Sequence, residues 1–217
     1  MATVRLKRIE HDLEGLKSFT NPDVRLEQYQ TPARFAAELL HYIDITDGIA
    51  GKTVLDLGCG CGILGFGCVR LAAAKVVGVD IDDSALSIAI ENKEDVGLDD
   101  DTIFFLNNDV INIEKSDFSH SDMVIMNPPF GTKKQPKVDE KFVVKALELA
   151  DIVYSVHKSS TRHHWGTIAE QWKEKLGWNI KVQTCIAGQR FTIPRMYKFH
   201  KKQEQEVLVD LMRFCHQ

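Results

Sequence analysis

The chain has 217 residues, of which 44% are hydrophobic and 27% charged, a length that suffices for one well-buried core and is short for two. No apolar run approaches the ~20 residues that span a bilayer, and the N-terminus lacks the apolar core of a signal peptide. Five cysteines without paired spacing argue against a disulfide framework. The net charge of −4 is not typical of a nucleic-acid-binding protein. We therefore expect one soluble, intracellular domain, residues 1–217, that does not enter a membrane.

The N-terminal part predicts two helices joined by a polar loop. Apolar residues recur at helical spacing among the charges of residues 1–20, which favours an amphipathic helix that caps the core. Thr31 stands where an N-cap belongs and Pro32 at the first helical position, so we predict a helix over 33–42. The loop from Gln28 to Thr31 either only caps this helix or holds the carboxylate or ribose of a ligand.

A glycine-rich turn follows the first predicted strand, residues 52–57. The turn, residues 58–62, reads Gly-Cys-Gly-Cys-Gly and leads into a helix of small residues that runs to about residue 73. Strand, glycine turn and helix together let a ligand approach the backbone at a helix N-terminus. The Cys-x-Cys spacing has no second Cys or His pair beside it, so we expect no metal.

Acidic residues follow the second and third predicted strands. Residues 75–80 end at Asp80, whose carboxylate can accept both hydroxyls of a ribose. Asp109 and Val110 come after the strand at 102–106. The Asp109 carboxylate can accept an adenine amine while the Val110 N–H donates to the ring, and a plain turn role for either residue is the alternative.

The turn after the fourth strand indicates what the site binds. Residues 122–126 read as a short buried strand that stops at Asn127-Pro128-Pro129-Phe130. Two prolines fix two φ angles and remove two N–H donors, so the turn is stiff. The Asn127 side-chain oxygen and the Pro128 carbonyl can accept both hydrogens of an exocyclic amine while Phe130 stacks on its ring. The turn predicts a site for a nucleobase amine or an amide side chain.

The remaining elements complete an α/β pattern. Helices are predicted at 140–150 and 165–176, and strands at 151–157, 179–184 and 206–214. Together they predict a doubly wound, Rossmann-like fold, with a seven-stranded, mostly parallel sheet that ends in an antiparallel strand pair. The third strand lies at the edge in the common order of such sheets, and the apolar run Ile103-Phe104-Phe105-Leu106 has no guarding charge. We expect a partner protein to cover it.

Basic residues cluster after three successive C-terminal elements. Each cluster alone is typical of a solvated face, whereas three of them favour a common surface for RNA phosphates. The residues expected on that surface are Lys133, Lys134, His157, Lys158, Arg162, Lys198, Lys201 and Lys202.

These features together resemble the class I S-adenosylmethionine-dependent methyltransferases, and the Asn-Pro-Pro-Phe turn narrows the resemblance to those that act on adenine, cytosine or glutamine amides. The blocks at 26–31, 127–133, 157–162 and 197–202 are similar to the methyltransferase-like five family. That resemblance makes Asn127, Pro128, Pro129 and Phe130 the expected catalytic residues. The residues expected to contact the cofactor S-adenosylmethionine are Gln28, Thr31, Asp56, Gly58, Gly60, Cys61, Ile63, Asp80, Asp109 and Val110.

The same resemblance implies an N6-adenine methyltransferase of small-subunit (18S) ribosomal RNA, acting in the nucleus (nucleolus) and cytoplasm with a small zinc-binding activator protein. It implies N-terminal helices and a cofactor-capping loop in residues 1–45, followed by the catalytic α/β core in 46–217. We expect an unstacked adenosine, because Phe130 reaches a base only when that base has left its helix. Two alternatives stay open: a protein glutamine-N5 methyltransferase, and a non-catalytic ribosome-assembly scaffold.

Overall fold

The computed structural model describes residues 2–118, 120–131, 136–194 and 204–217. Helices and strands alternate along most of this chain. The helices are α1 Ala2–Glu14, α2 Ala33–Thr46, α3 Ile63–Arg70, α4 Asp83–Asp95, α5 Val138–Leu149 and α6 Arg162–Leu176. The strands are β1 Thr53–Leu57, β2 Lys75–Asp80, β3 Ile103–Asn107, β4 Met123–Met126, β5 Ile152–Lys158, β6 Ile180–Pro194 and β7 Glu204–His216.

The strands form one sheet in the order β3-β2-β1-β4-β5-β7-β6. The first five are parallel, and β7 pairs antiparallel with both β5 and β6. This topology confirms the predicted α/β class, the antiparallel C-terminal pair and the edge position of β3. The chain reverses direction across the sheet between β1 and β4, which is where ligands bind in doubly wound folds.

Both faces of the sheet are covered, which explains why the central strands read as continuous apolar runs. Val54 and Ile125 point into one core with residues of α1 to α4, while Leu55 and Val124 point into a second core beneath α5 and α6. All four of these side chains are fully buried. None of the helices in the described ranges is long and apolar enough to cross a membrane.

Two predicted boundaries are corrected by the structure. The N-cap of α2 is Pro32, with no side-chain capping bond, because the Thr31 hydroxyl bonds elsewhere. Strand β6 runs ten residues further than the alternating pattern indicates. Register shifts between Thr184 and Gln189, together with Gly188 at φ 67°, interrupt that alternation without ending the strand.

Candidate active site

A cavity of about 240 Å³ opens at the carboxyl ends of β1, β2 and β4. Loops that follow these strands form its floor, and two N-terminal segments, 16–19 and 26–31, form its other wall. The cavity brings together all ten residues predicted to contact the cofactor: Gln28, Thr31, Asp56, Gly58, Gly60, Cys61, Ile63, Asp80, Asp109 and Val110. The segment 16–19 was not predicted to take part.

The glycine turn gives the cavity its backbone surface. Gly60 has φ 54°, a conformation that side chains disfavour, and a Cβ there would stand 2.8 Å from the ring of Phe19. The Gly60 N–H donates to the Asp80 carboxylate over 2.8 Å. Buried Asn92 on α4 bonds both the backbone N–H and carbonyl of Lys17 and donates to the Cys61 carbonyl. The turn is thus held from both sides and must keep its glycines.

Asp80 ends β2 with its carboxylate at the cavity wall. One oxygen accepts from Gly60 and the other from the Asp82 N–H over 3.0 Å. Each carboxylate oxygen can accept a further hydrogen bond, so acceptor capacity remains for two hydroxyls. Burial raises the pKa of Asp80, and the backbone donors from Asp82 and Gly60 oppose that rise.

Asp56 is the penultimate residue of β1, just before the glycine turn, and is almost fully buried. Its carboxylate accepts the Gly65 N–H over 2.9 Å, at the N-terminal end of α3. Burial, and to a lesser degree the charge of Asp80, raises its pKa to about 7, against which the Gly65 donor acts. Asp56 therefore supports the turn from below while it also lines the cavity.

Asn127 follows β4, and its side-chain amide is held in one orientation. Its Nδ2 donates to the Thr31 hydroxyl over 3.0 Å. Its Oδ1 is buried and has no hydrogen-bond partner among the described residues. An orphaned acceptor in a cavity wall fits an N–H donor of a bound molecule. Together with the Asp80 acceptors and the glycine turn, these residues fit S-adenosylmethionine beside an amine substrate.

Phe130 takes a different place from the one predicted. It is buried and does not line the cavity; its ring lies 5.8 Å from that of Tyr29, with the Lys158 ammonium 5.4 Å from its centroid. Pro129 lines the cavity, whereas Pro128 is buried behind it. In this structure, stacking of a base on Phe130 requires one of the groups that cover the ring to move.

Asp109 takes the turn role weighed from the sequence, and its contact with an adenine amine stays a prediction. Its carboxylate caps the short 3₁₀ helix Val110–Asn112 by accepting the Ile111 N–H over 3.0 Å. Asp109 and Val110 both line the cavity as well. The capping bond uses Oδ1 of the carboxylate.

The loop that precedes α2 reaches both ends of the site. Gln28 donates to Asp82 over 2.6 Å beside the glycine turn. Glu27 accepts the N–H groups of Phe130 and Gly131 at 3.2 and 2.9 Å. Burial raises the pKa of Glu27, and the positive charge of Lys158 acts against that rise. Sequence reasoning did not single out Glu27, since one acidic residue gives no signal for a contact 103 positions away.

The predicted RNA surface is only partly reproduced. His157 is 1% exposed and packs 4.1 Å from the Trp165 ring, so its predicted contact with RNA is wrong. Arg162 is held by buried Asp210 through two hydrogen bonds of 2.6 and 2.8 Å. Lys158 does lie beside the site. The predicted positions Lys133, Lys134, Lys198, Lys201 and Lys202 lie outside the described residues.

Comparison with known proteins identifies the family to which this chain belongs. The family model for the methyltransferase small domain matches residues 36–151, more than half of the chain. The chain is 41% identical to the zebrafish rRNA N(6)-adenosine-methyltransferase METTL5, over 97% of this chain and 99% of the relative. It is 37% identical to the Drosophila melanogaster protein of the same name, over 99% and 98%. The chain belongs to the METTL5 methyltransferase family.

A solved structure has the same fold over almost the whole chain. It is that of PH1948 from Pyrococcus horikoshii, provisionally described as an RNA methyltransferase, with a TM-score of 0.81 and 34% identity over 98% of this chain and 96% of that one. Family membership makes this chain a methyltransferase and confirms S-adenosylmethionine as its cofactor. The chemical class expected from the glycine turn and the Asn-Pro-Pro-Phe turn is therefore correct.

Proposed function

We propose that this chain transfers a methyl group from S-adenosylmethionine to the N6 amine of an unstacked adenosine in small-subunit (18S) ribosomal RNA. The observation that carries the proposal is Oδ1 of Asn127, a buried acceptor in the wall of the cofactor cavity that has no hydrogen-bond partner among the described residues. Two relatives at 37–41% identity that bear the name rRNA N(6)-adenosine-methyltransferase support the choice of base and of RNA class. With that substrate we place the enzyme in the nucleus (nucleolus) and cytoplasm.

The chain's contribution to the reaction is to orient and polarise the amine. An adenine amine is a weak nucleophile because its lone pair is delocalised into the ring. Asn127 Oδ1 accepts one N–H, and we assign the other to the Pro128 carbonyl, although Pro128 does not line the cavity in this structure. Two such bonds favour a pyramidal nitrogen and stabilise the positive charge that develops there. S-adenosylmethionine supplies the electrophilic methyl group. No strong base is needed before transfer.

Thr31 contacts the end of the Asn127 amide that, in this structure, is turned away from the atom left for the substrate. Its hydroxyl accepts from Nδ2, so Oδ1 is the atom left for the amine. An amide turned the other way would present a donor to a donor, which is unfavourable. The hydrogen bond from Asn127 to Thr31 thus supports an amine, rather than a carbonyl, as the group bound here.

We further propose that a small zinc-binding activator protein covers the edge strand β3. Phe104 is 41% exposed on this edge, beside half-buried Leu106, while Ile103 and Phe105 are buried in the core formed with α1 to α4. Among the described residues, no strand pairs with the outer hydrogen-bonding side of β3. Exposed apolar edge strands pair readily with another chain, so a heterodimer protects this surface.

The test is methyl transfer from labelled S-adenosylmethionine, with the chain co-expressed with the activator. Purified small-subunit rRNA, large-subunit rRNA and total cell protein are offered separately, followed by nucleoside and amino-acid analysis. We expect N6-methyladenosine in small-subunit rRNA alone. Label recovered as methylglutamine in protein would favour the glutamine methyltransferase instead, and cofactor binding without label in any fraction would favour the scaffold.

A further inference from the structure

Glu27 holds the catalytic turn from a distant part of the chain. Pro128 and Pro129 carry no N–H, so the first two backbone donors after Asn127 are those of Phe130 and Gly131. Both donate to the Glu27 carboxylate, one to each oxygen, at 3.2 and 2.9 Å. A single side chain therefore binds every backbone donor in the stretch from Pro128 to Gly131.

The surroundings of Glu27 stabilise its buried carboxylate in contact with the turn. The residue is 9% exposed, and a buried carboxylate is costly unless hydrogen bonds and a cation compensate it. Here the compensation comes from the two turn amides and from the charge of Lys158. The backbone of Glu27 has φ 52°, a left-handed conformation that is strained for a non-glycine residue.

The neighbours of Glu27 in sequence bind the rest of the site. Thr31 accepts from the side chain of Asn127 over 3.0 Å, and Gln28 donates to Asp82 over 2.6 Å. The loop 27–31 thus contacts the cofactor side of the cavity and the catalytic turn at once.

We propose that Glu27 is a positioning residue of the methyl-transfer reaction: its carboxylate fixes the Asn127–Gly131 turn so that the Asn127 oxygen and Pro128 carbonyl meet the amine together. The role rests on the proposed function for its chemistry and on the described contacts for its geometry. A misplacement of about 1 Å in such a constellation costs ~10² in rate.

The test compares Glu27→Ala and Glu27→Gln with the wild type in the full-length chain and its activator. The matched control is Glu38→Gln, on the surface of α2, where Glu38 pairs with Arg34. Amide hydrogen exchange reports on Phe130 and Gly131, titration reports on cofactor affinity, and steady-state methylation of rRNA separates kcat from KM. Glu27→Gln keeps one acceptor oxygen, so it retains the fold if Glu27→Ala does not.

For Glu27→Ala we expect at least about tenfold faster exchange at Phe130 and Gly131, a kcat lower by ~10², and a cofactor Kd and RNA KM within about threefold of the wild type. Glu27→Gln should fall between the two, which is the rescue expected of a partial acceptor. Unchanged exchange in a folded variant overturns the proposal, as does a loss of cofactor affinity that accounts for the whole loss of activity. Faster exchange in the variant, when the wild type methylates no rRNA, supports the positioning by Glu27 and overturns the proposed function instead.

Discussion

The amide of Asn127 and the hydroxyl of Thr31, 96 residues apart in sequence, lie 3.0 Å apart across the catalytic cavity. Thr31 occupies the donor end of the amide and leaves Oδ1 as a buried, unpartnered acceptor among the described residues. The orientation that the chemistry needs is therefore already present in the protein alone. Such preorganisation avoids reorganisation of the site at the moment of reaction.

Thr31→Val tests this orientation with a side chain of the same shape. The variant leaves Asn127 Nδ2 without its partner, and a net hydrogen bond of about 0.5–1.5 kcal/mol corresponds to roughly a 2- to 10-fold lower kcat. Thr31→Ser keeps the hydroxyl and should behave like the wild type. Equal rates for the valine and serine variants in a steady-state assay would show that the hydroxyl does not orient the amide.

Asp80→Asn should weaken cofactor binding more than turnover at saturation. An amide NH₂ placed against the N–H of Gly60 or Asp82 replaces an attraction with a donor-donor contact. Loss of a hydrogen bond to a charged group, about 1.5–3 kcal/mol, predicts a ~10- to 10²-fold higher Kd by calorimetric titration with S-adenosylmethionine. Asp83→Asn, one turn along and exposed, is the control that should retain wild-type affinity.

Asp56 predicts a pH dependence of stability. Its pKa is about 7 in the folded chain and about 3.9 in an unfolded one, so between these values the folded chain keeps a proton that the unfolded chain releases. Raising the pH through that window lowers the free energy of unfolding by up to about 1.4 kcal/mol per pH unit. Asp56→Asn removes this pH-dependent loss of stability. In denaturant unfolding, the free energy of unfolding of the variant should therefore rise relative to that of the wild type from pH 4 to pH 7. Parallel pH profiles would contradict the assignment.

Phe104→Asp should disrupt the proposed heterodimer without damaging the catalytic cavity. The substitution places a charge on the apolar edge of β3. Ile90→Asp is a matched control, because Ile90 on α4 is equally exposed at 41%. Co-purification with the activator should fall at least about tenfold for Phe104→Asp alone. If both variants retain the partner, the interface lies elsewhere.

Local patterns in the sequence sufficed to predict the fold class. Contacts between residues distant in sequence could not be predicted from such patterns. The apolar runs at β1, β2 and β4 and the glycine turn sufficed for the fold class and for the position of the cavity, because doubly wound sheets bind ligands at the carboxyl ends of their strands. His157 was misplaced because adjacency to Lys158 suggested a shared surface. Alternation along β5 turns the two side chains to opposite faces, and the face of His157 is covered by α6.

Within the site, Phe130 and Glu27 also make contacts with residues distant in sequence that the sequence did not predict. The Asn-Pro-Pro-Phe turn predicted an aromatic face for the substrate, and the structure places Tyr29 and Lys158 against that ring. The contact from Glu27 to Gly131 spans 104 positions and leaves no periodicity. Only the folded chain reveals that the loop before α2 holds the catalytic turn.

The central claim is that the Asn127 oxygen binds the reacting amine. The most direct test quantifies N6-methyladenosine formed on small-subunit rRNA by the wild type and by Asn127→Ala, with cofactor affinity titrated in parallel and Asn179→Ala, exposed before β6, as the control. We predict that Asn127→Ala loses ~10²–10³ in turnover and keeps its cofactor affinity, while Asn179→Ala is unaffected. Turnover by Asn127→Ala at the wild-type rate would contradict the account.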